Sequence, residues 1–306
     1  MRAVVVAEQG ASPELTELPT PEPGAGEVLV RVEASSLNGF DTAVAAGYLT
    51  GMMEHRYPVV LGKDFAGTVE AVGAGVTRFA AGDRVFGVVT KAFLGDGGFG
   101  EYVVVGDQLG TAAIPEGLDT ATAGVLGLAG AAAVDAFDAV TPQAGETVLV
   151  SGATGGVGAI AVQYAAAAGA RVIATARPGA EVELVRSLGA SEVVDHTGDL
   201  AAQVRELAPA GVDVVFHLAG DGAALAGLLA EKGRLASTLG LGPDQHPAAV
   251  AIMATPTVET LDRLAADVAA GTLSVPVGRT YALAEVPAAF ADFAGGTLGK
   301  LAITLA

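Results

Sequence analysis

The chain contains no cysteine and no tryptophan among its 306 residues, and only four histidines. The missing cysteines exclude disulfide bonds, thiol nucleophiles and every cysteine-ligated zinc site. The histidines are scattered, without an H-E-x-x-H or other paired spacing, at His55, His196, His217 and His246. Paired spacing of this kind is what places two ligands on one metal ion. The sequence therefore predicts no metal site.

Positive charge is also scarce, because 16 Lys and Arg face 34 Asp and Glu and leave a formal net charge of -18. Nucleic acids and anionic membrane surfaces are bound through Lys and Arg, so neither is expected as a partner. The most apolar stretch, residues 121–134, is rich in Gly and Ala and too short for a membrane span. The first residues lack the pattern of an export signal. We expect a cytoplasmic enzyme.

The pattern of elements changes near residue 120. Before it, short β-type runs are separated by Gly and Pro, at residues 2–7, 27–33, 67–72, 84–89 and 101–105. After it, strands alternate with helices, and the tail after about residue 257 returns to mixed structure. We predict helices at 125–140, 156–168, 181–188, 200–207, 222–229 and 258–270, and strands at 147–150, 172–175, 192–195, 212–218, 234–239, 279–283 and 300–305. This alternation predicts an α/β fold with a parallel sheet covered on both faces.

A glycine-rich segment joins an apolar strand to a helix at Thr147–Gly158, which reads TVLVSGATGGVG. It matches G-x-G-x-x-G at Ala153, Gly155 and Gly158, with alanine in the first position. Gly155 lets a pyrophosphate approach bare backbone, Gly158 lets the helix pack on the strand, and the helix N-terminus offers unpaired N–H groups. The segment predicts a dinucleotide site.

The end of the second strand of this unit distinguishes between the two nicotinamide cofactors. NAD sites usually carry an acid there, whereas NADP sites need a cation. This chain has Thr175, Ala176 and Arg177, so no carboxylate repels a 2′-phosphate and one guanidinium can hold it in a forked pair. The prediction is NADP(H), with a merely solvated arginine as the alternative.

Several segments along the whole chain carry a family resemblance. They read MRAVVV at the start, then PGAGEVLVRVEASSLNGFD, LGKDFAGTVEAVGAGV, GDRVFG, GFGEYVVV, SGATGGVG, RSLGASEVVD, GVDVVFHLAG and GKLAITL. Together they resemble the medium-chain dehydrogenase/reductase superfamily, and within it the zinc-independent, zeta-crystallin-like quinone oxidoreductases. The resemblance implies a GroES-like β-barrel catalytic domain from residues 1–122 and 257–306. It implies a doubly wound Rossmann domain at 123–256 and an active site in the cleft between them.

The resemblance also implies the site residues. Zinc-containing relatives place a Cys at or near Asn38 and a His-Glu pair at Lys63 and Asp64, so a metal-free hydride transfer is expected. The expected cofactor-binding residues are Gly152, Thr154, Gly155, Gly156, Val157, Gly158, Thr175, Arg177, Leu218, Ala219, Leu239 and Gly240. From the residues themselves, Arg279 and Lys300 could each contact the adenosine phosphate or a substrate anion, but strand-end charges are the favoured interpretation.

Three residues are candidates for catalysis. Asn38 could donate a hydrogen bond to the acceptor oxygen, or serve only a turn after a strand. Asp41 is either catalytic or the N-cap of a helix over residues 41–46. Tyr48 could stack on a planar acceptor or supply a proton, or pack at the rim.

The function that follows is an NADPH-dependent reductase of quinones or α,β-unsaturated carbonyls. Its expected partner is a small planar hydrophobic substrate, and the superfamily implies a homodimer. Two alternatives stay open, an enoyl-thioester reductase and a catalytically weak NADPH-binding redox sensor. The second is weighed because a fold does not guarantee its chemistry.

Overall fold

The computed structural model describes residues 1–305 and divides into two compact units. The first, here called the split unit, comprises Met1–Ala131 and Pro256–Ala306. The second, the inserted unit, comprises Ala132–Thr255.

The strands run through both units in chain order. They are β1 Arg2–Val6, β2 Glu14–Glu17, β3 Glu27–Leu37, β4 Glu54–His55, β5 Val59–Val60, β6 Asp64–Val72, β7 Arg84–Val88, β8 Phe93–Leu94, β9 Tyr102–Gly106, β10 Thr111–Ala113, β11 Thr147–Ser151, β12 Arg171–Thr175, β13 Glu192–Val194, β14 Val212–His217, β15 Leu229–Ser237, β16 Ala249–Ala251, β17 Val277–Ala282 and β18 Lys300–Thr304.

The helices are mostly short. They are α1 Gly39–Ala45, α2 Thr120–Ala123, α3 Gly127–Val140, α4 Gly156–Ala167, α5 Ala180–Ser187, α6 Leu200–Leu207, α7 Gly222–Ala226, α8 Val258–Ala269 and α9 Val286–Ala294, with a 3₁₀ turn at Leu283–Glu285. Side chains of Asp119, Asp199, Asp221 and Thr257 accept hydrogen bonds from the first turns of α2, α6, α7 and α8. Such caps satisfy N–H groups that a helix leaves without an internal partner, which is why these helices begin where they do.

The split unit contains three sheets. A seven-stranded sheet runs β10-β7-β6-β3-β18-β17, with β9 also paired to β3, and smaller sheets join β2-β1-β5 and β4-β8. The C-terminal strand β18 lies antiparallel to β3 with Leu301 opposite Leu37. This register brings Lys300 to the end of β3, beside the residues that open α1.

The inserted unit is one parallel sheet with strand order β13-β12-β11-β14-β15-β16. In order of appearance this is 3-2-1-4-5-6, the doubly wound order of dinucleotide-binding folds. Alternate residues of the strands enter two separate cores. Val148 and Val150 pack with α3, α4 and α5, whereas Leu149 packs with α6 and α7. The sheet is therefore covered on both faces, as the sequence predicts.

The predicted elements mostly match in kind, and the differences lie at short elements. The segment after β1, where no strand was predicted, contains β2, which pairs antiparallel with β1. The helix predicted at 222–229 ends at Ala226, because β15 begins at Leu229 and continues the parallel sheet. The helix predicted at 125–140 begins at Gly127, with the separate α2 before it.

Candidate functional site

The glycine loop between β11 and α4 forms the geometry that the sequence predicts. Gly155 is the N-cap of α4 and contributes no capping side chain, so the N–H groups of the first turn have no partner there. Gly152 has a φ of +80°, which favours glycine. A Cβ at Gly158 would lie 2.1 Å from the Gly152 carbonyl oxygen. Glycine at 158 is therefore required for the helix to pack against the loop, and Thr154, Gly156 and Val157 stay partly exposed around it.

Thr175, predicted to bind the cofactor, forms a hydrogen bond to this glycine loop. Its buried hydroxyl oxygen accepts the Gly152 N–H at 2.9 Å and donates to the Val150 carbonyl at 3.3 Å. The end of β12 thereby fixes the start of the glycine loop.

The loops that follow β14 and β15 meet the glycine loop at the carboxyl edge of the sheet. The Ser151 hydroxyl donates to the Ala219 carbonyl at 2.7 Å, and the Leu218 N–H donates to the Ser151 carbonyl at 3.2 Å. Leu239 is exposed and donates its N–H to the Ser237 hydroxyl at 3.1 Å, next to Gly240 with a φ of +83°. The structure thus brings the predicted cofactor residues together along one edge.

His217 at the end of β14 is buried and hydrogen-bonded. Its Nδ1 lies 2.9 Å from the Ser237 hydroxyl, and its Nε2 lies 3.1 Å from the Gly220 carbonyl oxygen. The imidazole joins β14, β15 and the loop that contains Ala219.

Arg177 lies where predicted, after β12, but the premise that no carboxylate stands near it is wrong. Glu181 on α5 accepts the Arg177 backbone N–H at 2.6 Å and the Arg177 Nε–H at 2.7 Å. The Nη2 atom lies 2.5 Å from the same carboxylate. The acid stands four residues beyond the arginine, on the first turn of α5, whereas the prediction considered only the strand end.

The split unit contains a cluster of buried polar side chains where β3, β6 and β18 meet, here called the Asp64 cluster. Its members are Ser35, Ser36, Asn38, Asp41, Lys63, Asp64 and Lys300. Asp41 lies on α1, and the other members lie at or next to ends of β3, β6 and β18, which the register of the seven-stranded sheet places side by side. Buried polar groups of this kind are stable only when they are hydrogen-bonded.

Asp64 is fully buried at the centre of this cluster, and protein donors surround its carboxylate. Oδ1 accepts the Leu128 N–H at 2.7 Å, and Oδ2 accepts from the Asn38 amide at 2.8 Å and from the Ser36 hydroxyl. The Lys300 Nζ lies 3.4 Å from Oδ2, with side-chain exposures of only 3% and 0% for the two partners. The negative charge is therefore balanced inside the fold.

Lys300 was interpreted as a strand-end charge, and this interpretation is wrong. The side chain is buried and donates to the Asn38 Oδ1 at 2.6 Å as well as facing Asp64. Arg279 on the neighbouring strand does fit that interpretation, because it is exposed and pairs with Asp292 at 2.8 Å.

Asn38 directly follows β3 and is the N-cap of α1. Its amide nitrogen donates to the Ser36 carbonyl at 3.2 Å and to Asp64 at 2.8 Å, while its oxygen accepts from Lys300. These contacts fix the orientation of the amide, with its nitrogen toward Asp64 and its oxygen toward Lys300.

Asp41 is not the N-cap that the sequence favoured as its structural alternative, because α1 begins at Gly39. It stands in the first turn and accepts the Asn38 N–H at 2.8 Å. Burial, followed by the nearby charge of Asp64, raises the pKa of the Asp41 carboxyl from its ordinary 3.8 to about 7. Burial likewise lowers the pKa of Lys63, whose ammonium donates to the Val89 carbonyl.

Tyr48 follows α1 and is 76% exposed. Met52 is equally exposed, and Tyr57 is partly so and stacks on His55 with ring centroids 5.8 Å apart. The segment thus presents large apolar side chains to solvent.

Sequence reasoning missed Lys300 and Asp64 as parts of the site. A lysine at the start of a final β-strand and an acid at the start of an apolar strand, LGKDFAG, were the available signals. A buried strand rarely carries a charge unless it is paired, but the partner could not be chosen without the register.

Two family models match the chain. The "Alcohol dehydrogenase GroES-like domain" matches residues 24–116 and the "Zinc-binding dehydrogenase" family matches residues 156–260. The first falls in the split unit and the second largely in the inserted unit. Together with the glycine loop, these matches define the class of two-part proteins that have a GroES-like domain and a dinucleotide-binding domain.

Relatives and solved structures narrow that class. The chain is 37% identical over 216 residues to a chloroplast envelope quinone oxidoreductase homolog of Arabidopsis thaliana, covering 67% of this chain and 63% of that one. It is 36% identical over 299 residues to a mycocerosic acid synthase-like polyketide synthase of Mycobacterium tuberculosis, covering 87% of this chain and 13% of that one. The chain thus spans less than two thirds of the length of either relative.

A mycobacterial protein, Rv1454c, solved in complex with NADPH, superposes with a TM-score of 0.86 at 30% identity, and the match covers both chains completely. This chain belongs to the medium-chain dehydrogenase/reductase superfamily and is related to the quinone oxidoreductases. The predicted resemblance and the two-part α/β fold are thereby confirmed. In residues 1–305, no helix is both long and apolar enough to cross a membrane.

Proposed function

We propose that the protein is a zinc-independent, NADPH-dependent oxidoreductase that reduces a quinone or an α,β-unsaturated carbonyl. Two features of the chain carry the proposal together. The inserted unit has a glycine loop for a pyrophosphate, and the split unit has a buried carboxylate already neutralised by Lys300.

The cofactor is NADP(H). The residues around the glycine loop fit a dinucleotide, because Gly155 leaves the first turn of α4 uncapped by a side chain and Arg177 follows the next strand. The NADPH complex of a structure 30% identical over the full chain supports the same cofactor. When bound, NADPH supplies the hydride for reduction.

A zinc ion, as the name of the matching family implies, does not fit the residues present. At the positions where the sequence resemblance places metal ligands, Lys63 and Asn38 offer an ammonium and an amide. Asp64 has its oxygens occupied by the Leu128 N–H, the Asn38 amide and Lys300. Within residues 1–305, no group of three His, Cys, Asp or Glu side chains is arranged to hold a metal.

Three residues are proposed to act on the substrate. Asn38 would donate to the acceptor oxygen by releasing its longer bond, the 3.2 Å contact to the Ser36 carbonyl. Asp41, with a pKa near neutrality, would hold a proton beside it. Tyr48 is proposed to stack on the planar acceptor, since its ring is exposed.

The test is NADPH oxidation with a panel of quinones and cyclic enones, before and after dialysis against a chelator. We expect turnover that the chelator does not reduce, because the side chains at the positions of the zinc ligands are hydrogen-bonded to other groups of the protein. Activity that appears only on adding zinc would overturn the metal-free mechanism. NADPH binding without turnover on any acceptor would favour the redox sensor.

A second function is favoured by the similarity to the polyketide synthase, which covers 87% of this chain. An enoyl-thioester reductase would also transfer a hydride to an α,β-unsaturated carbonyl, carried on a thioester. Comparing kcat/KM for an enoyl thioester with that for the corresponding enone distinguishes the two. A preference of at least about tenfold for the thioester, roughly 1.4 kcal/mol of transition-state binding, would favour this reading.

A further inference from the structure

Arg177 is held by one carboxylate through both its backbone and its side chain. Glu181 accepts the Arg177 N–H with Oε2 and the Nε–H with Oε1, at 2.6 and 2.7 Å. Since the two residues lie four apart, with Gly179 as the N-cap of α5 between them, the contact closes a small ring at the start of the helix. The guanidinium is thereby given a fixed direction.

The two side chains differ in exposure. The Arg177 side chain is 52% exposed, whereas that of Glu181 is only 14% exposed. Burial acts to raise the pKa of Glu181, but the hydrogen bonds from Arg177 outweigh it and leave that pKa below its ordinary value. The carboxylate is therefore charged at neutral pH, and Asp195 at the end of the adjacent strand β13 adds a second negative charge near the guanidinium.

A 2′-phosphate that approaches Arg177 must compete with this arrangement. A phosphate binds arginine best through two parallel N–H bonds, and Glu181 already uses the Nε–H and one terminal nitrogen. The phosphate also carries about two negative charges into the neighbourhood of two carboxylates, which weakens its binding further. A ribose hydroxyl suffers neither penalty.

We propose that Glu181 is a specificity-determining residue that limits selection for the 2′-phosphate, so that the inserted unit binds NADH as well as NADPH. The inference rests on the proposed cofactor site. Arg177 makes the affinity for NADPH higher than that for NADH, and Glu181 limits how large this difference becomes.

The test measures the binding of cofactor fragments and does not depend on turnover. Calorimetric titrations of the full chain with adenosine 2′,5′-bisphosphate and with 5′-AMP give a selectivity ratio that depends only on the phosphate. Glu181→Gln keeps an oxygen that can accept the Arg177 N–H and removes the charge. Glu183→Gln removes the same charge from the same helical turn at an exposed position and is the matched control.

We expect Glu181→Gln to raise the ratio about fivefold, since partly exposed ion pairs contribute modestly, and Glu183→Gln to leave it within about twofold. Arg177→Ala should bring the ratio close to one. An unchanged or lowered ratio in Glu181→Gln would overturn this inference alone, because Glu181 would then only position Arg177. If the wild-type chain bound neither fragment, the proposed cofactor site would fail together with it.

Discussion

The two units each hold a pair of opposite charges, and the pairs differ in nearly every respect. Asp64 and Lys300 are buried, come from strands far apart in sequence, and both form hydrogen bonds with Asn38. Arg177 and Glu181 lie four residues apart at the edge of the inserted unit, with the arginine half exposed. Burial makes the first pair a structural necessity, since an unpaired charge inside a protein is very costly. Exposure leaves the second pair free to exchange partners with a ligand.

Removing Lys300 should have the largest effect on stability. Lys300→Met leaves Asp64 charged and buried without its counter-ion, which should lower the free energy of unfolding by about 3–5 kcal/mol. The measurement is urea denaturation at neutral pH, followed by circular dichroism.

Two further variants test whether burial makes the Asp64–Lys300 pair more important for stability than an exposed ion pair. Arg279→Met removes the exposed partner of Asp292 on the neighbouring strand and should cost much less. Adding Asp64→Asn to Lys300→Met should recover part of the loss, because no net charge then remains between the two positions. A loss no larger than that of Arg279→Met would mean that burial does not distinguish the two pairs.

Asp41 gives the Asp64 cluster a pH dependence. The pKa of the Asp41 carboxyl is raised from its ordinary 3.8 to about 7 in the folded chain, so the folded chain binds this proton more tightly than the unfolded chain. Protonation of Asp41 therefore stabilises the fold fully below about pH 4, and this contribution is lost as the pH rises to about 7. Asp41→Asn should therefore gain stability over the wild type progressively across this window, by up to about 4 kcal/mol above it. Denaturation of both proteins at a series of pH values measures the difference.

The control for Asp41 is Asp83→Asn. Asp83 also accepts the N–H of the residue three before it, Ala80, at 2.8 Å, but at an exposed turn. This variant controls for the loss of a carboxylate that accepts a backbone N–H, without the burial that acts on Asp41. A flat difference for Asp41→Asn would contradict the raised pKa.

The fold could largely be predicted from sequence because its signals are local. The strand, glycine turn and helix at β11 and α4 stand together in twelve residues, and alternation of strands and helices implies a parallel sheet. The shortest strands, such as β2 and β16, were missed because they exist only through pairing with neighbours.

The candidate site was predictable only where its contacts are local in sequence. The glycine loop required no distant partner, whereas the Asp64 cluster joins residues separated by more than 230 positions, which only the β3–β18 register brings together. The contact between Glu181 and Arg177 is local but was still not predicted. Arg177 precedes the N-cap of α5, Gly179, so the contact depends on the conformation of the turn before the helix and not on helical spacing.

Gly158 permits a smaller but sharper test, on the inserted unit. Gly158→Ala would place a Cβ 2.1 Å from the Gly152 carbonyl oxygen, so the loop must move, at about 1–3 kcal/mol and with a marked loss of NADPH affinity. Gly155→Ala is the control for stability, since its Cβ would meet the same oxygen at 3.5 Å, an ordinary contact. Equal denaturation midpoints for the two variants would show that the loop is not packed as described.

Arg177→Ala should have the smallest effect on stability and the most selective effect on binding. An exposed ion pair contributes little to folding, so the denaturation midpoint should not change measurably. Affinity for NADPH should fall about tenfold, because the attraction of the guanidinium charge for the 2′-phosphate is lost, while affinity for NADH should be nearly unchanged. Fluorescence titration with each cofactor separates the two. Equal losses for both cofactors would remove Arg177 from the phosphate site. A large loss of stability would show that its pair with Glu181 supports the fold as Asp64 and Lys300 do, and the contrast between the two units would then disappear.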